Sequence, residues 1–162
     1  MNITSLPNYQ IVDHTAIENY FTHDDLIERI RAIHLSIGWG ASDTRILCRN
    51  LQLPSCKAYF LIKNGEELVG YVQAKKIAIH TLYISFIALI PSEQGKKHGV
   101  TLIENIFRDA KEEKLNVSLE FEYDNEQSRK FYENLPQKKT IHVEDEYGNG
   151  SPRAIATYYF NL

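Results

Sequence analysis

The stretch Ile87-Ala-Leu-Ile-Pro-Ser-Glu-Gln-Gly-Lys-Lys-His-Gly-Val-Thr-Leu-Ile-Glu-Asn-Ile106 constrains the fold more than any other segment of the chain. It reads as a buried strand, a short loop bearing glycine and lysine, and the first turns of an amphipathic helix. A loop that feeds a helix start exposes backbone N–H groups that no intrahelical carbonyl can accept. The helix dipole adds partial positive charge at the same point, so a phosphate group is a natural ligand there. A second strand-to-helix junction, Asn125-Glu-Gln-Ser128-Arg-Lys-Phe131-Tyr132, carries a phenol. The two junctions together point to a phosphate-bearing cofactor held beside a proton donor.

Around these junctions the periodicities give a succession of elements. Residues 9–14 read as a first strand. Thr22 caps a helix with Asp24 and Asp25 in its first turn, and Leu26, Ile30, Ile33 and Ile37 follow helical spacing up to a stop at Gly38. A second helix starts near Ser42-Asp43, carries Ile46, Leu47 and Leu51, and ends before Pro54. Residues 58–62 and 68–74 flank Asn64-Gly65, a pair that tolerates the positive φ angles of a tight hairpin turn. Residues 80–90 are apolar on both faces, as in a strand covered by helices on both sides. Residues 99–114 form a helix with a buried stripe of Val100, Ile103, Ile106, Phe107 and Ala110. A strand over 117–123, a helix over 126–135 and two strands around a Gly148-Asn-Gly150 turn complete the chain. The order β-α-α-β-β-β-α-β-α-β-β predicts an α/β fold: a mixed central sheet of about six to seven strands with helices on both faces.

Composition sets bounds. With 162 residues the chain is expected to be a single domain, 1–162, with a sizeable core. A net charge of −3 leaves no global attraction to nucleic acid or an anionic membrane, so any anion site is local. No apolar run has the length of a membrane span, and the first residues lack the pattern of a signal peptide, which makes the cytoplasm the expected location. Cys48 and Cys56 match no metal-ligand or redox spacing and read as free thiols, one on a helix and one near a strand start. The GxxxxGK[ST] loop of nucleotide hydrolases is missing.

The element order and the two junctions resemble the GNAT superfamily of acetyl-CoA-dependent N-acetyltransferases over nearly the whole chain. The family's Gln/Arg-x-x-Gly-x-Gly/Ala loop aligns with Gln94-Gly-Lys-Lys97-His-Gly99; its ends match, and its middle glycine is Lys97 here. Asn-x-x-Ser/Ala-x-x-Phe-Tyr matches in full at Asn125, Ser128, Phe131 and Tyr132, whereas the Gly-Phe usual after that helix is replaced by Leu135-Pro136. The resemblance implies acetyl-CoA as cosubstrate. The backbone amides of Gln94, Gly95, Lys96, Lys97, His98, Gly99 and Val100 would grip its pyrophosphate, and Lys96 and Lys97 would add charge-assisted contacts. Ile87, Ala88 and Leu89 would pair their backbone with the pantetheine arm, the Leu89 N–H polarising the thioester carbonyl. Asn125, with Ser128 beside it, would anchor the pantetheine side, and Tyr132 would protonate the departing thiolate. A lysine at 97 resists both the close approach and the positive φ that glycine allows.

The base is open among Glu120, Glu122, His80 and water, because Ser85 stands where many relatives carry a carboxylate on the central strand. The acceptor side is expected from the first two helices and the hairpin loops, where His34, Trp39 and Arg45 lie. Trp39 is either a flat face for an aromatic or cationic acceptor or a core residue closing the helix. The expected partner is a small amine-bearing acceptor, the protein being a monomer or homodimer. The last strand, 154–160, either pairs across such a dimer or stays within its own sheet. An alternative reading is a catalytically weak acyl-CoA-binding or sensor protein on the same fold.

Overall fold

The computed structural model describes residues 8–145 and 150–160. Its elements are β1 (Tyr9–Asp13), α1 (His23–Ser36), α2 (Ala41–Leu51), β2 (Cys56–Lys63), β3 (Glu67–Ala78), β4 (Thr81–Leu89), α3 (His98–Glu113), β5 (Asn116–Glu122), α4 (Glu126–Asn134), β6 (Lys139–Glu144) and β7 (Arg153–Tyr158). This is the succession the sequence predicts, with 3-10 turns at Ile17–Asn19 and Pro91–Glu93 added. Seven strands form one mixed sheet in the order β1-β2-β3-β4-β5-β7-β6. The pairs β1-β2, β2-β3, β5-β7 and β6-β7 are antiparallel, and β4-β5 is parallel. Among the described residues no helix is long and apolar enough to cross a membrane. The chain divides into two compact units, one holding the residues up to Lys75 together with Ser85–Ile106, the other holding Lys76–Ile84 and the residues from Phe107 on.

In the first unit, Thr22 caps α1 by accepting a hydrogen bond at Oγ1 from the Asp25 N–H at 3.2 Å, and Gly38, just past the end of α1, has φ +81°. Leu26, Ile30 and Ile33 of α1 and Leu47 of α2 pack with Phe60, Ile62, Leu68 and Tyr71 of the sheet in one buried cluster. Burying each such side chain is worth about 1.5–3 kcal/mol. Ile46 departs from expectation, being 44% exposed. Thr44, Leu47 and Asn50 occupy the buried face of α2, and Ile46 stands a hundred degrees round the helix from Leu47. Two polar side chains hold that face. Thr44 Oγ1 lies 2.8 Å from His34 Nδ1, and His34 Nε2 lies 2.5 Å from the Tyr71 hydroxyl. Asn50 Nδ2 donates to Gln73 Oε1 at 3.1 Å. His34, read from the sequence as facing the acceptor, is instead a core residue at 1% exposure; burial lowers its pKa, so it sits neutral between a hydroxyl on each side.

In the second unit, β5 registers its residues 117–122 against Tyr158 back to Arg153 of β7, and β6 covers the other edge of β7. The last strand is therefore paired on both sides, which settles its two readings in favour of its own sheet. Phe107 and Tyr158 meet at 4.8 Å between ring centroids, Phe121 and Tyr132 at 4.9 Å. Gly148 and Asn149 of the predicted turn lie outside the described residues; Gly150 has φ +79°.

Candidate active site

The end of β4 is held close to its neighbour. The Ile90 N–H donates to the Val69 carbonyl at 3.0 Å, and Gly70 leaves no room for a side chain beneath the strand. A Cβ at Gly70 would stand 2.4 Å from Leu89 Cδ2 and 2.8 Å from the Ala88 carbonyl oxygen. On the opposite side, the ladder between β4 and β5 joins residues 81–83 to 116–118, so Ile87, Ala88 and Leu89 lie past its last pair. Ala88 is buried, while Ile87 and Leu89 are half-buried.

Pro91 opens the 3-10 turn that leads into the loop. Gln94 Nε2 then reaches back to the Leu89 carbonyl at 3.1 Å. Gly95 adopts φ +78° and Lys97 φ +65°. Lys97 thus takes the left-handed conformation that a glycine would take, at a cost of about 1–2 kcal/mol. The expected resistance of lysine to positive φ is overridden by the turn into α3, where Thr101 donates to the Lys97 carbonyl from both N–H and Oγ1 at 3.2 Å. His98, Gly99 and Val100 follow as the first turn of α3, whose N–H groups point outward along the helix axis without intrahelical acceptors. Left-handed φ at Gly95 and Lys97 thus brackets Lys96, and backbone alternation of this kind is one way a chain turns successive amides toward an anion.

One side chain outside both sequence motifs dominates the loop. Glu93 is 1% exposed, and its carboxylate accepts from the Tyr9 hydroxyl at 2.7 Å and from Lys63 Nζ at 3.0 Å. Lys96 Nζ lies 3.5 Å away and His98 Nε2 3.3 Å away. Burial pushes this carboxyl up, yet hydrogen bonds from Tyr9 and Lys63 and the charges of Lys63 and Lys96 outweigh it, so the acid sits below the usual carboxylate range and is ionised. The sequence hint was an acid directly after Pro-Ser with a lysine three positions on; its strongest partners, at 9 and 63, were invisible to local pattern.

Asn125 is the N-cap of α4, its Oδ1 accepting from the Ser128 N–H at 3.1 Å. That leaves the Asn125 amide NH2 to meet another group. Tyr132 is buried against Phe121 and Phe131, and its carbonyl receives the Tyr158 hydroxyl at 2.7 Å. Burial pushes the Tyr132 phenol up to about 12, so at neutral pH it carries its proton. Glu120 and Glu122 are exposed on β5, with Arg153 3.8 and 3.9 Å from their carboxylates. His80 precedes β4, at the end of the strand opposite to the loop, and is exposed. Ser85 Oγ on β4 is buried with no hydrogen-bond partner among the described residues.

Trp39 is half-buried, 5.1 Å from the His34 ring and 5.9 Å from Phe86 between centroids. It is held by its own N–H on the His34 carbonyl at 2.8 Å. Arg45 is exposed on α2. A cavity of about 310 Å³ lies at the other end of α1, lined by residues that include His14, Phe21, Leu26, Cys48 and Phe60. It contains none of the residues assigned above, and concavity alone does not locate this site.

Residues 12–135 match the model of the acetyltransferase (GNAT) family. No curated protein matches the chain. Among solved structures, the ribosomal-protein-S18-alanine N-acetyltransferase of Escherichia coli superposes with a TM-score of 0.69 at 16% identity, covering 96% of each chain. An aminoglycoside 6'-N-acetyltransferase complexed with coenzyme A gives a TM-score of 0.69 at 14% identity over 93% of this chain and 97% of that one. A GNAT family acetyltransferase from Elizabethkingia anophelis with acetyl-CoA bound gives 0.66 at 17% identity over 94% and 98%. At these identities the likeness is one of fold.

Proposed function

The chain belongs to the GNAT acetyltransferase family, and from that we propose that it transfers the acetyl group of acetyl-CoA to a primary amine, of a small molecule or an amino terminus, by direct attack in a ternary complex. The observation that carries the reading is the loop. Gly95 and Lys97 both adopt left-handed φ, immediately before the open first turn of α3. The amides of Gln94, Gly95, Lys96, Lys97, His98, Gly99 and Val100 are the groups this reading assigns to the pyrophosphate. Coenzyme A or acetyl-CoA is present in two of the similar structures named above, which supports the same cosubstrate here.

Ile87, Ala88 and Leu89 lie past the β4-β5 ladder, and their backbone groups are assigned to the amide-rich pantetheine. The Leu89 N–H is assigned to the thioester carbonyl, where charge develops as the amine attacks. The free NH2 of Asn125 serves the pantetheine side, with Ser128 beside it. Tyr132 donates its proton as the carbon–sulfur bond breaks. A buried phenol held near 12 is a weak acid toward a hydrated thiolate, but a thiolate leaving into a dry site is itself made more basic by desolvation. Positioning the two substrates supplies most of the remaining acceleration, up to about 7–11 kcal/mol in favourable cases. The amine loses its proton to water, Glu120 or Glu122. One domain, 1–162, carries the whole reaction in the cytoplasm.

One observation favours a weakly catalytic, acyl-CoA-binding alternative: the central strand presents the buried hydroxyl of Ser85, with no carboxylate there to take the ammonium proton. A thiol-release assay with acetyl-CoA over amino acids, polyamines, aminoglycosides and peptides with free amino termini separates the two. Acceptor-dependent release confirms transfer. Binding of acetyl-CoA without acceptor-dependent release by any class supports the sensor, and the absence of a melting shift at millimolar acetyl-CoA refutes both.

A further inference from the structure

Within the first unit, the loop's amides are only one part of its electrostatics. Lys63, Lys96, Lys97 and the start of α3 gather positive charge on a few residues, and the strands beneath must keep that charge in place when no anion is bound. The group that meets it is the 1%-exposed carboxylate of Glu93. It takes the Tyr9 hydroxyl from β1 and Lys63 Nζ from β2 at 2.7 and 3.0 Å. On the loop side Lys96 Nζ and His98 Nε2 stand 3.5 and 3.3 Å from it. The Tyr9 and His98 rings also pack at 4.4 Å between centroids. Two of these partners lie on strands fixed by long ladders, and two lie on the loop and first turn of α3.

We infer that Glu93 is a positioning residue for the cosubstrate diphosphate: through Tyr9 and Lys63 it fastens the loop 94–100 to the edge of the sheet, so that the loop's amides stand in binding geometry before the anion arrives. This inference rests on the acetyl-CoA reading of that loop. The carboxylate is 1% exposed, so it acts through the side chains around it. Its effect is to remove the ordering cost that a loose loop would meet on binding. The effect falls on coenzyme A affinity and leaves the acetyl-transfer step alone.

The experiment measures coenzyme A binding by titration calorimetry, and kcat and KM for both substrates, in wild type, Glu93→Gln and the double variant Tyr9→Phe/Lys63→Met. Glu93→Gln keeps the shape and loses the charge; the double variant leaves the loop untouched and removes only its anchors. Each should weaken coenzyme A binding and raise KM for acetyl-CoA about tenfold, the scale of one lost charge-assisted hydrogen bond. The acceptor KM and kcat should stay within about twofold, a split that general loss of packing would not produce. Should Glu93→Gln fail to fold, the double variant alone decides. Wild-type protein without affinity for coenzyme A overturns this inference together with the acetyl-CoA reading. Wild-type binding with both variants within twofold of it overturns this inference only.

Discussion

Gly70→Ala is the substitution whose outcome follows most directly from the geometry. The new methyl would meet two atoms of unequal stiffness. Leu89 Cδ2, at 2.4 Å, is the end of a rotatable side chain; the Ala88 carbonyl oxygen, at 2.8 Å, is backbone. The side chain can turn away, whereas the carbonyl moves only if β4 moves. Overpacking of this kind costs about 1–3 kcal/mol, and replacing a strand glycine returns about 0.5–1 kcal/mol through the unfolded chain. A net loss of about 1–2 kcal/mol should lower Tm by about 2–8 °C for a chain of this size. Thermal and urea melts of wild type, Gly70→Ala, Leu89→Ala and the double variant then test the argument. Leu89→Ala removes the nearer clash and leaves the farther one, so the double variant should recover part of the Gly70→Ala loss, with a coupling of about 0.5–1 kcal/mol. KM for acetyl-CoA should rise several-fold in Gly70→Ala, because the displaced backbone is the part assigned to pantetheine. A Tm within 1 °C of wild type, or strict additivity in the cycle, refutes the claim that this glycine exists for close approach.

Three further outcomes are expected. Lys97→Gly should leave stability unchanged or raise it by up to about 1 kcal/mol, since relief of the left-handed strain outweighs the added chain entropy, while Lys97→Val should lower it by more than about 1 kcal/mol; paired urea melts decide. Tyr132→Phe should cut kcat about a hundredfold with KM for acetyl-CoA within twofold, and unchanged turnover would return the phenol to a purely packing role. His34 titrates below its ordinary value in the folded protein because burial disfavours its charge, so its contribution to stability is whole above about pH 6.5 and shrinks as the pH falls, when the unfolded chain takes up a proton that the folded one refuses. Below about pH 6.5 stability should fall with pH by at most about 1.4 kcal/mol per pH unit, a slope absent in His34→Gln, as urea melts on the acid side of that value will report.

What the sequence made legible was what neighbouring residues decide. Thr22 followed by Asp24 and Asp25, Asn64-Gly65, and the loop from Gln94 into a helix after an apolar run stand where they were read, Lys97 excepted, whose positive φ comes from the turn into α3 and not from its own preference. The buried polar groups escaped. His34, Thr44 and Tyr71 come from α1, α2 and β3, and each alone looks like a surface residue; only the packing of two helices on one strand makes them partners. Glu93 escaped for the same reason, being 84 positions from Tyr9 and 30 from Lys63. Ile46 shows the converse, an apolar residue in helical register that lost its place in the core because Thr44 and Asn50 found hydrogen-bond partners there.

Cys56 gives the molecule a built-in clock. The residue is 3% exposed at the start of β2, and its sulfur accepts a long hydrogen bond of 3.8 Å from Gln73 Nε2. Burial pushes the thiol up to about 11, and Cys48 on α2 is raised by the same cause. In buffer near pH 7.5 both stay protonated and slow to react, so a disulfide reagent that counts freed coenzyme A starts from a quiet baseline. The slow colour that Cys56 does yield then times the transient detachment of β2, and comparing that rate with and without cosubstrate measures how firmly the ligand keeps the strand in its sheet.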